Sequence, residues 1–275
     1  MPNLRRFLLP LIVMVGLIAA VAAMRLAAPS HNPVLELLAP SDLKFSPVEL
    51  DNADTNAGLA RMIALLEASR RAVPQYLRLV ADEYAPKPRQ TATFAVGCYW
   101  EGERDLGKLD GVLASRTGMI GHDEVVELEY DPTTMGYSEL VGRAKRLACF
   151  RKVYARDDKQ LREAAALAGV AVARSDQPVN TATQQQFHLS MHPEYNYLPL
   201  TALQATKINA ALFAHEDPDG FLSPGQRALK DRIAKVLARG RDAKDSFDAL
   251  TPRRDREGLP GYCGALQSRL AALGA

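Results

Sequence analysis

The chain has 275 residues, 47% of them hydrophobic, which suits one globular domain with extensions or at most two small domains. Its 34 basic and 32 acidic residues nearly balance, so charge gives no reason to expect nucleic acid as a partner. The absence of an internal repeat in the sequence excludes a solenoid.

The N-terminus predicts export. An apolar run at residues 7–24 follows Arg5 and Arg6 and is closed by Arg25. A basic flank, an apolar stretch and small residues near its end are the parts of a secretory signal peptide. The run is also just long enough to cross a bilayer, so residues 1–25 are either a signal peptide or a membrane anchor. In both cases we expect the rest of the chain to be periplasmic or anchored facing the periplasm.

Export changes the interpretation of the three cysteines, Cys98, Cys149 and Cys263. Structural disulfides are common outside the cytoplasm, but an odd number leaves at least one thiol over in a monomer. No pair has C-x-x-C spacing. The cysteines and the five histidines also show no paired ligand spacing, so we expect no bound metal.

The first 90 residues are predicted to be an extension of the main domain. Prolines punctuate residues 26–50, which indicates a linker. Residues 54–83 have helical periodicity, and Pro74 divides them into two predicted helices.

Residues 91–275 contain the predicted main domain. Its central order of strand, helix, strand, strand and helix predicts an α+β fold with a ferredoxin-like α/β sandwich core and helical extensions at both ends. The five central elements are expected at residues 91–96, 101–109, 111–119, 124–130 and 137–149. Beyond them we expect helices at 157–168, 202–213 and 225–237, a strand at 170–173, a loop at 176–200, and turns at 258–264 before a short final helix.

Cys98 is the strongest candidate for a functional residue. It follows Gly97 at the end of a predicted strand, where glycine allows a sharp turn into the next helix. Unpaired N–H groups and the helix dipole at such a position favour a thiolate, which is the nucleophilic form. Tyr99 and Trp100 follow directly and could wall a small apolar pocket. The alternative is a buried, inert cysteine.

Two carboxyl groups lie near Cys98 in the sequence. Glu103 sits on the helix that begins after Cys98, and Glu124 opens a neighbouring predicted strand. A carboxyl group held in apolar surroundings can stay protonated and act as a general acid. The sequence does not decide which of the two faces Cys98, and either one could instead be a solvated surface group.

An ordered set of motifs resembles the peptide methionine sulfoxide reductase A family. The family typically shows GCFW with a following glutamate, H-x-E-x-V-x-x-x-YDP and SYEEL. This chain has GCYW at 97–100 with Glu103, HDEVVELEYDP at 122–132 and YSEL at 137–140, within a match over residues 91–142. The similarity fades after residue 150 and returns weakly at 187–198 and in GYCG at 261–264.

The resemblance implies a thiol-dependent reduction of peptide methionine S-sulfoxide, which repairs oxidised proteins. Cys98 would attack the sulfoxide sulfur and become a sulfenic acid, and Glu124 would protonate the oxygen. Cys263 would resolve the sulfenic acid as a disulfide, and a thioredoxin-like donor would reduce it, with no bound cofactor. Tyr99 and Trp100 would hold the substrate methyl group. From the residues alone, Cys149 remains an alternative partner for Cys98 or for Cys263.

The chain also departs from the family pattern. Met119 stands where the family has a tyrosine, and Phe150 is our candidate for the position of a second one. The aspartate of the motif that carries this second tyrosine has no match. These losses support a second hypothesis, a catalytically weakened binding or redox-sensing module on the same fold. A third, a disulfide oxidoreductase, is disfavoured by the lack of a C-x-x-C pair.

Overall fold

The computed structural model describes residues 32–41, 43, 54–183 and 185–275. The predicted signal peptide or anchor, residues 1–25, lies outside the described residues. Within the described ranges, no helix is both long and apolar enough to cross a membrane.

Short and medium helices form the N-terminal extension. They are α1 (Pro33–Leu38), α2 (Thr55–Ala68) and α3 (Gln75–Tyr84). Pro74 separates α2 from α3, as predicted. Helix α1 differs from the linker that we expected at this position. Its proline occupies the first helical turn, where a missing N–H costs nothing, and the side chain of Asn32 accepts hydrogen bonds from the next free N–H groups.

The core has the predicted ferredoxin-like arrangement. Strands β1 to β4 lie in the order β4-β1-β3-β2 with antiparallel neighbours, and helices follow β1 and β3. The elements are β1 (Gln90–Val96), α4 (Tyr99–Gly107), β2 (Val112–Ile120), β3 (Asp123–Tyr130), α5 (Tyr137–Ala144) and β4 (Phe150–Ala155). Helix α5 ends five residues before the predicted end at 149, and β4 was not predicted. The charged Arg151 and Lys152 break the hydrophobic pattern of β4.

Two short strands extend the sheet on both sides. β5 (Val172–Arg174), which follows α6 (Asp158–Ala165), pairs in parallel with β4. β6 (Asn180–Thr181) pairs antiparallel with β2. At Gly118 of β2 a Cβ atom would lie 2.4 Å from the backbone oxygen of Asn180. The lack of a side chain at this position therefore lets β6 approach β2.

The C-terminal part is helical. It comprises α7 (Phe187–Ser190), α8 (Pro193–Asn196), α9 (Ala202–Ala214), a 3-10 turn (Pro218–Phe221), α10 (Pro224–Leu237), α11 (Arg241–Asp248) and α12 (Leu259–Ala272). The predictions for α9 and α10 are confirmed, and each begins with a capping box. The predicted loop at 176–200 instead contains β6, α7 and α8. The predicted turns at 258–264 largely form the start of α12, because Pro260 lies in its first turn.

The extensions pack against the ferredoxin-like core. One hydrophobic cluster lies between the sheet, α4 and α5, a second among the C-terminal helices, and a third between the N-terminal helices and α12. Helix α9 packs on α4 and β2. The buried carboxylate of Glu83 on α3 accepts a hydrogen bond from the Leu203 N–H at 3.3 Å, which caps α9. The N-terminal extension is thus tied to a helix that rests directly on the core.

Candidate active site

Cys98 lies at the junction that the sequence predicts. β1 ends at Val96, and Cys98 is the N-cap residue of α4 with extended backbone angles of φ −145° and ψ 119°. Its side chain is half-buried and makes no capping hydrogen bond. Cys98 is therefore the residue at which the strand ends and the helix begins.

Glu124 is the carboxylate that the sheet brings to this junction. Its Cα pairs with Val96 across β1 and β3. Paired residues of an antiparallel ladder project on the same face of the sheet. The Glu124 Oε2 atom accepts a hydrogen bond from the backbone N–H of Tyr99 at 2.8 Å. The carboxylate thus takes one of the free helix N–H groups next to Cys98.

Glu103 points elsewhere. It is 1% exposed, and its Oε1 atom accepts a hydrogen bond from the Ser115 hydroxyl of β2 at 2.9 Å. Burial raises the pKa of Glu103 to about 7, although hydrogen bonds from Ser115 and the Gln186 backbone and the charge of Arg254 oppose the rise. Glu103 therefore joins α4 to the sheet below it, and Glu124 is the carboxylate at the Cys98 end of the helix.

Four side chains form a row across the sheet beside Cys98. Phe150 pairs with Val96, Val96 with Glu124, and Glu124 with Met119, so the row runs through β4, β1, β3 and β2. Met119 and Phe150 flank this end of the sheet on the same face as Glu124. Neither side chain carries a hydroxyl group, so neither can donate a hydrogen bond to a ligand held between them.

Trp100 belongs to a larger aromatic group than the sequence indicates. Its ring stacks on Phe187 of α7, with centroids 3.9 Å apart and planes 13° apart, and Tyr99 packs against it edge-on at 5.9 Å. The group continues through His188 to the partly exposed Phe213. We missed the contact of Phe187, although it opens the segment with weak family similarity. The apolar wall beside Cys98 thus contains at least three rings.

Cys149 lies close to the junction in space. It sits on the short link between α5 and β4, and its carbonyl accepts a hydrogen bond from the Gly97 N–H at 2.6 Å. Its side chain is buried in the cluster that contains Val96, against which Tyr99 packs. Burial and the nearby carboxylates of Asp105 and Glu101 raise the pKa of the Cys149 thiol.

Cys263 lies in a different cluster. It is buried on α12 among residues of α1, α2 and α3, including Leu35 and Leu59. Burial raises the pKa of its thiol to about 12. All three cysteines are free thiols. The structure does not bring Cys263 into the cluster beside Cys98, and its resolving role stays a prediction.

Comparisons with known proteins agree that the chain carries a segment that resembles this family. No family model matches the chain. The peptide methionine sulfoxide reductase MsrA of Methanothermobacter thermautotrophicus is 38% identical over 19% of this chain and 41% of its own length. The peptide methionine sulfoxide reductase of Drosophila melanogaster is 36% identical over 19% of this chain and 27% of its own length. The peptide methionine sulfoxide reductase MsrA of Geobacter metallireducens is 33% identical over 19% of this chain and 43% of its own length. The chain spans less than half the length of each of these curated relatives.

Proposed function

We propose that this chain, which carries a divergent segment similar to peptide methionine sulfoxide reductase A, reduces methionine S-sulfoxide in oxidised peptides through Cys98. The observation that carries the proposal is the 2.8 Å hydrogen bond between the Tyr99 N–H and Glu124. The motif carboxylate and the motif cysteine therefore lie at the same helix N-terminus, although they are 26 positions apart in the sequence.

The proposed reaction uses both groups. The sulfur of Cys98 attacks the sulfoxide sulfur, and Glu124, in the protonated form that this step requires, gives its proton to the sulfoxide oxygen and becomes a carboxylate. The hydroxyl group then passes to Cys98 as a sulfenic acid, and methionine leaves. Methionine gains two electrons and Cys98 loses two. A second cysteine condenses with the sulfenic acid, which releases water and forms a disulfide, and a thioredoxin-like dithiol reduces that disulfide by exchange.

The surroundings of Cys98 suit this substrate. Cys98 lies at the N-terminus of α4, one residue before the N–H that binds Glu124. The rings of Tyr99, Trp100 and Phe187 form an apolar wall against which the methyl group of the substrate can pack. The methyl and methylene groups of a methionine sulfoxide side chain are still apolar and flexible, so such a wall can contact them without demanding one rigid shape.

The missing hydroxyl groups favour a second candidate function. Met119 and Phe150 line up with Glu124 but offer no hydrogen-bond donor to a developing negative oxygen. Each lost donor can cost about 3 kcal/mol of transition-state stabilisation. A module that binds oxidised methionine, or senses oxidation through Cys98, with little turnover would keep the same residues.

A direct assay separates the two candidates. Purified protein is incubated with dithiothreitol and a peptide that contains either the S or the R epimer of methionine sulfoxide. The reduced, methionine-containing peptide is then quantified by chromatography. We expect methionine from the S epimer with wild type and none with Cys98→Ser. Turnover no higher than that of Cys98→Ser would refute the reductase. Saturable peptide binding without turnover would then support the binding module.

We also propose that the protein acts outside the cytoplasm, through export by residues 1–25, and that its reductant is a thioredoxin-like protein of that compartment. The basic flank and apolar run of the sequence support this proposal. Fusion of residues 1–60 to alkaline phosphatase, which is active only after export, tests it. A fusion with the apolar run deleted is the control, and equal phosphatase activity in both would contradict export.

A further inference from the structure

We propose that Cys149 is the thiol that resolves the sulfenic acid of Cys98. This inference rests on the proposed function and names its second cysteine. The hydrogen bond from the Gly97 N–H to the Cys149 carbonyl, 2.6 Å long, joins the residue before Cys98 directly to Cys149. The next pair in the same ladder is Val96 with Phe150. The two cysteines therefore lie at neighbouring positions where β1 ends and β4 begins.

The surroundings of Cys149 also reach the start of α4. The side chain of Cys149 packs in the cluster of Val96, which lies between the sheet and α4. Tyr99, the residue after Cys98, packs against the same cluster. A disulfide requires Cα atoms about 4.4–6.8 Å apart, a range typical of residues at neighbouring positions of paired strands.

The charged neighbours of Cys149 place it along the helix that Cys98 begins. They are Asp105, Glu101 and Arg104, all on α4. Glu101 follows Cys98 by three residues and Asp105 follows Glu101 by four, the spacings that put side chains on one helix face. Cys149 thus lies near charged side chains of α4, the helix that Cys98 caps.

Cys263 has no comparable relation to Cys98. It is buried among the N-terminal helices and α12, in a cluster that also contains Tyr84. To meet Cys98 it would have to leave that cluster.

The proposed step is balanced. The thiol of Cys149 attacks the sulfenic sulfur of Cys98, the S–O bond breaks, and the hydroxyl group leaves as water with the thiol proton. The half-buried Cys98 is the more accessible sulfur, so a dithiol reductant of the thioredoxin class attacks it and releases Cys149. The second thiol of the reductant then attacks the mixed disulfide and frees Cys98, which leaves the reductant as a disulfide.

The pairing is read by mass spectrometry of the full chain. Reduced protein receives one equivalent of S-sulfoxide peptide without reductant, is alkylated under denaturing conditions and is mapped. We expect a Cys98–Cys149 disulfide, with Cys263 alkylated, in wild type and in Cys263→Ser. In Cys149→Ser we expect Cys98 to remain a sulfenic acid that dimedone traps. A Cys98–Cys263 disulfide, or a lasting sulfenic acid in wild type, would overturn the proposal.

Two further measurements keep this test separate from that of the proposed function. Methionine release in a single turnover should be the same in Cys149→Ser and wild type, while steady-state turnover with a dithiol protein as reductant should fall about tenfold or more. If wild type releases no methionine, the proposed function fails. Hydrogen peroxide then oxidises Cys98 directly, and the same map shows whether Cys149 or Cys263 pairs with it. Because the wild-type map needs no variant, misfolding of Cys149→Ser does not block the result.

Discussion

Glu124 accepts a hydrogen bond from the backbone N–H of Tyr99, at 2.8 Å, one residue after Cys98. The bond ties the start of β3 to the start of α4 and holds the Glu124 carboxyl group next to the residue that carries the candidate thiol. A carboxylate that accepts from a helix N–H has a fixed position, so it can meet the oxygen of a bound sulfoxide repeatedly in the same geometry.

Replacing Glu124 with glutamine should lower kcat about 10²-fold or more, because general acid catalysis typically contributes that much. The amide oxygen of glutamine can still accept from the Tyr99 N–H, so the helix start is kept. Glu127→Gln is the matched control, since Glu127 lies on the same strand but its odd spacing puts it on the opposite face. Steady-state assays with the S-sulfoxide peptide measure the effect. Equal losses in both variants would mean that the strand, and not proton donation, was disturbed.

Introducing a hydroxyl group beside Glu124 should increase the activity. Met119 pairs directly with Glu124, so Met119→Tyr adds a hydrogen-bond donor on the same face. A donor worth about 3 kcal/mol in the transition state would raise kcat up to about 10²-fold. Met119→Phe supplies the ring without the hydroxyl and should remain near wild type. If the Tyr and Phe variants have the same kcat, the missing hydroxyl is not what limits the reaction.

The fluorescence of Trp100, which stacks on Phe187, can report ligand binding at this site. Trp100 is the only tryptophan of the chain, so its fluorescence reports on this site alone. In Cys98→Ser, which cannot turn over, we expect a saturable fluorescence change with S-sulfoxide peptide. Phe187→Ala should weaken the binding about 2- to 12-fold, which corresponds to a stacking energy of about 0.5–1.5 kcal/mol. The ring of Phe213 lies beyond His188. Adding Phe213→Ala to the Cys98→Ser variant should therefore leave the Kd for the peptide unchanged. A Kd unaffected by Phe187→Ala would remove Phe187 from the substrate wall.

Glu103 should make the stability of the fold depend on pH. Its pKa is about 7 in the folded chain, above the ordinary value of 4.5, because burial disfavours the carboxylate. Below pH 4.5 the group is protonated in both states and has no effect. As the pH rises to 7 the unfolded chain loses its proton first, so the free energy of unfolding falls, by about 3 kcal/mol in total.

Urea unfolding at pH 5 and pH 8 measures this effect. Glu103→Gln should lose less stability between the two pH values than wild type, because glutamine does not ionise. Glu101→Gln, a change at an exposed position of the same helix, should behave as wild type. An identical pH dependence in wild type and Glu103→Gln would show that Glu103 is already ionised in the fold at pH 5. Burial also raises the pKa of Glu83 to about 7. Glu83 therefore lowers the stability over the same pH range in wild type and in both variants, and its contribution cancels in the comparison.

Local features of the site were predictable from the sequence. The strand that ends at Val96, the turn at Gly97 and the helix that begins after Cys98 all follow from residues adjacent in the chain. Strand β4 was not predictable in this way, because Arg151 and Lys152 hide its periodicity and its extended backbone is stabilised by pairing with β1. Cys263 was placed on a turn for a similar reason, since Gly261 and Gly264 suggest turns but lie inside α12.

The sequence by itself determined that a cysteine lies at a helix N-terminus, followed by two aromatic rings, in a βαββ order, because propensity and periodicity act over a few neighbouring residues. Only the tertiary structure decided which groups stand around that cysteine. The register of β3 on β1 selects Glu124 over Glu103, and the start of β4 brings Cys149 next to Gly97. Such contacts depend on pairing between distant segments, and one residue of slip would turn every side chain to the other face. The physical neighbours of Cys98 are therefore a property of the folded sheet.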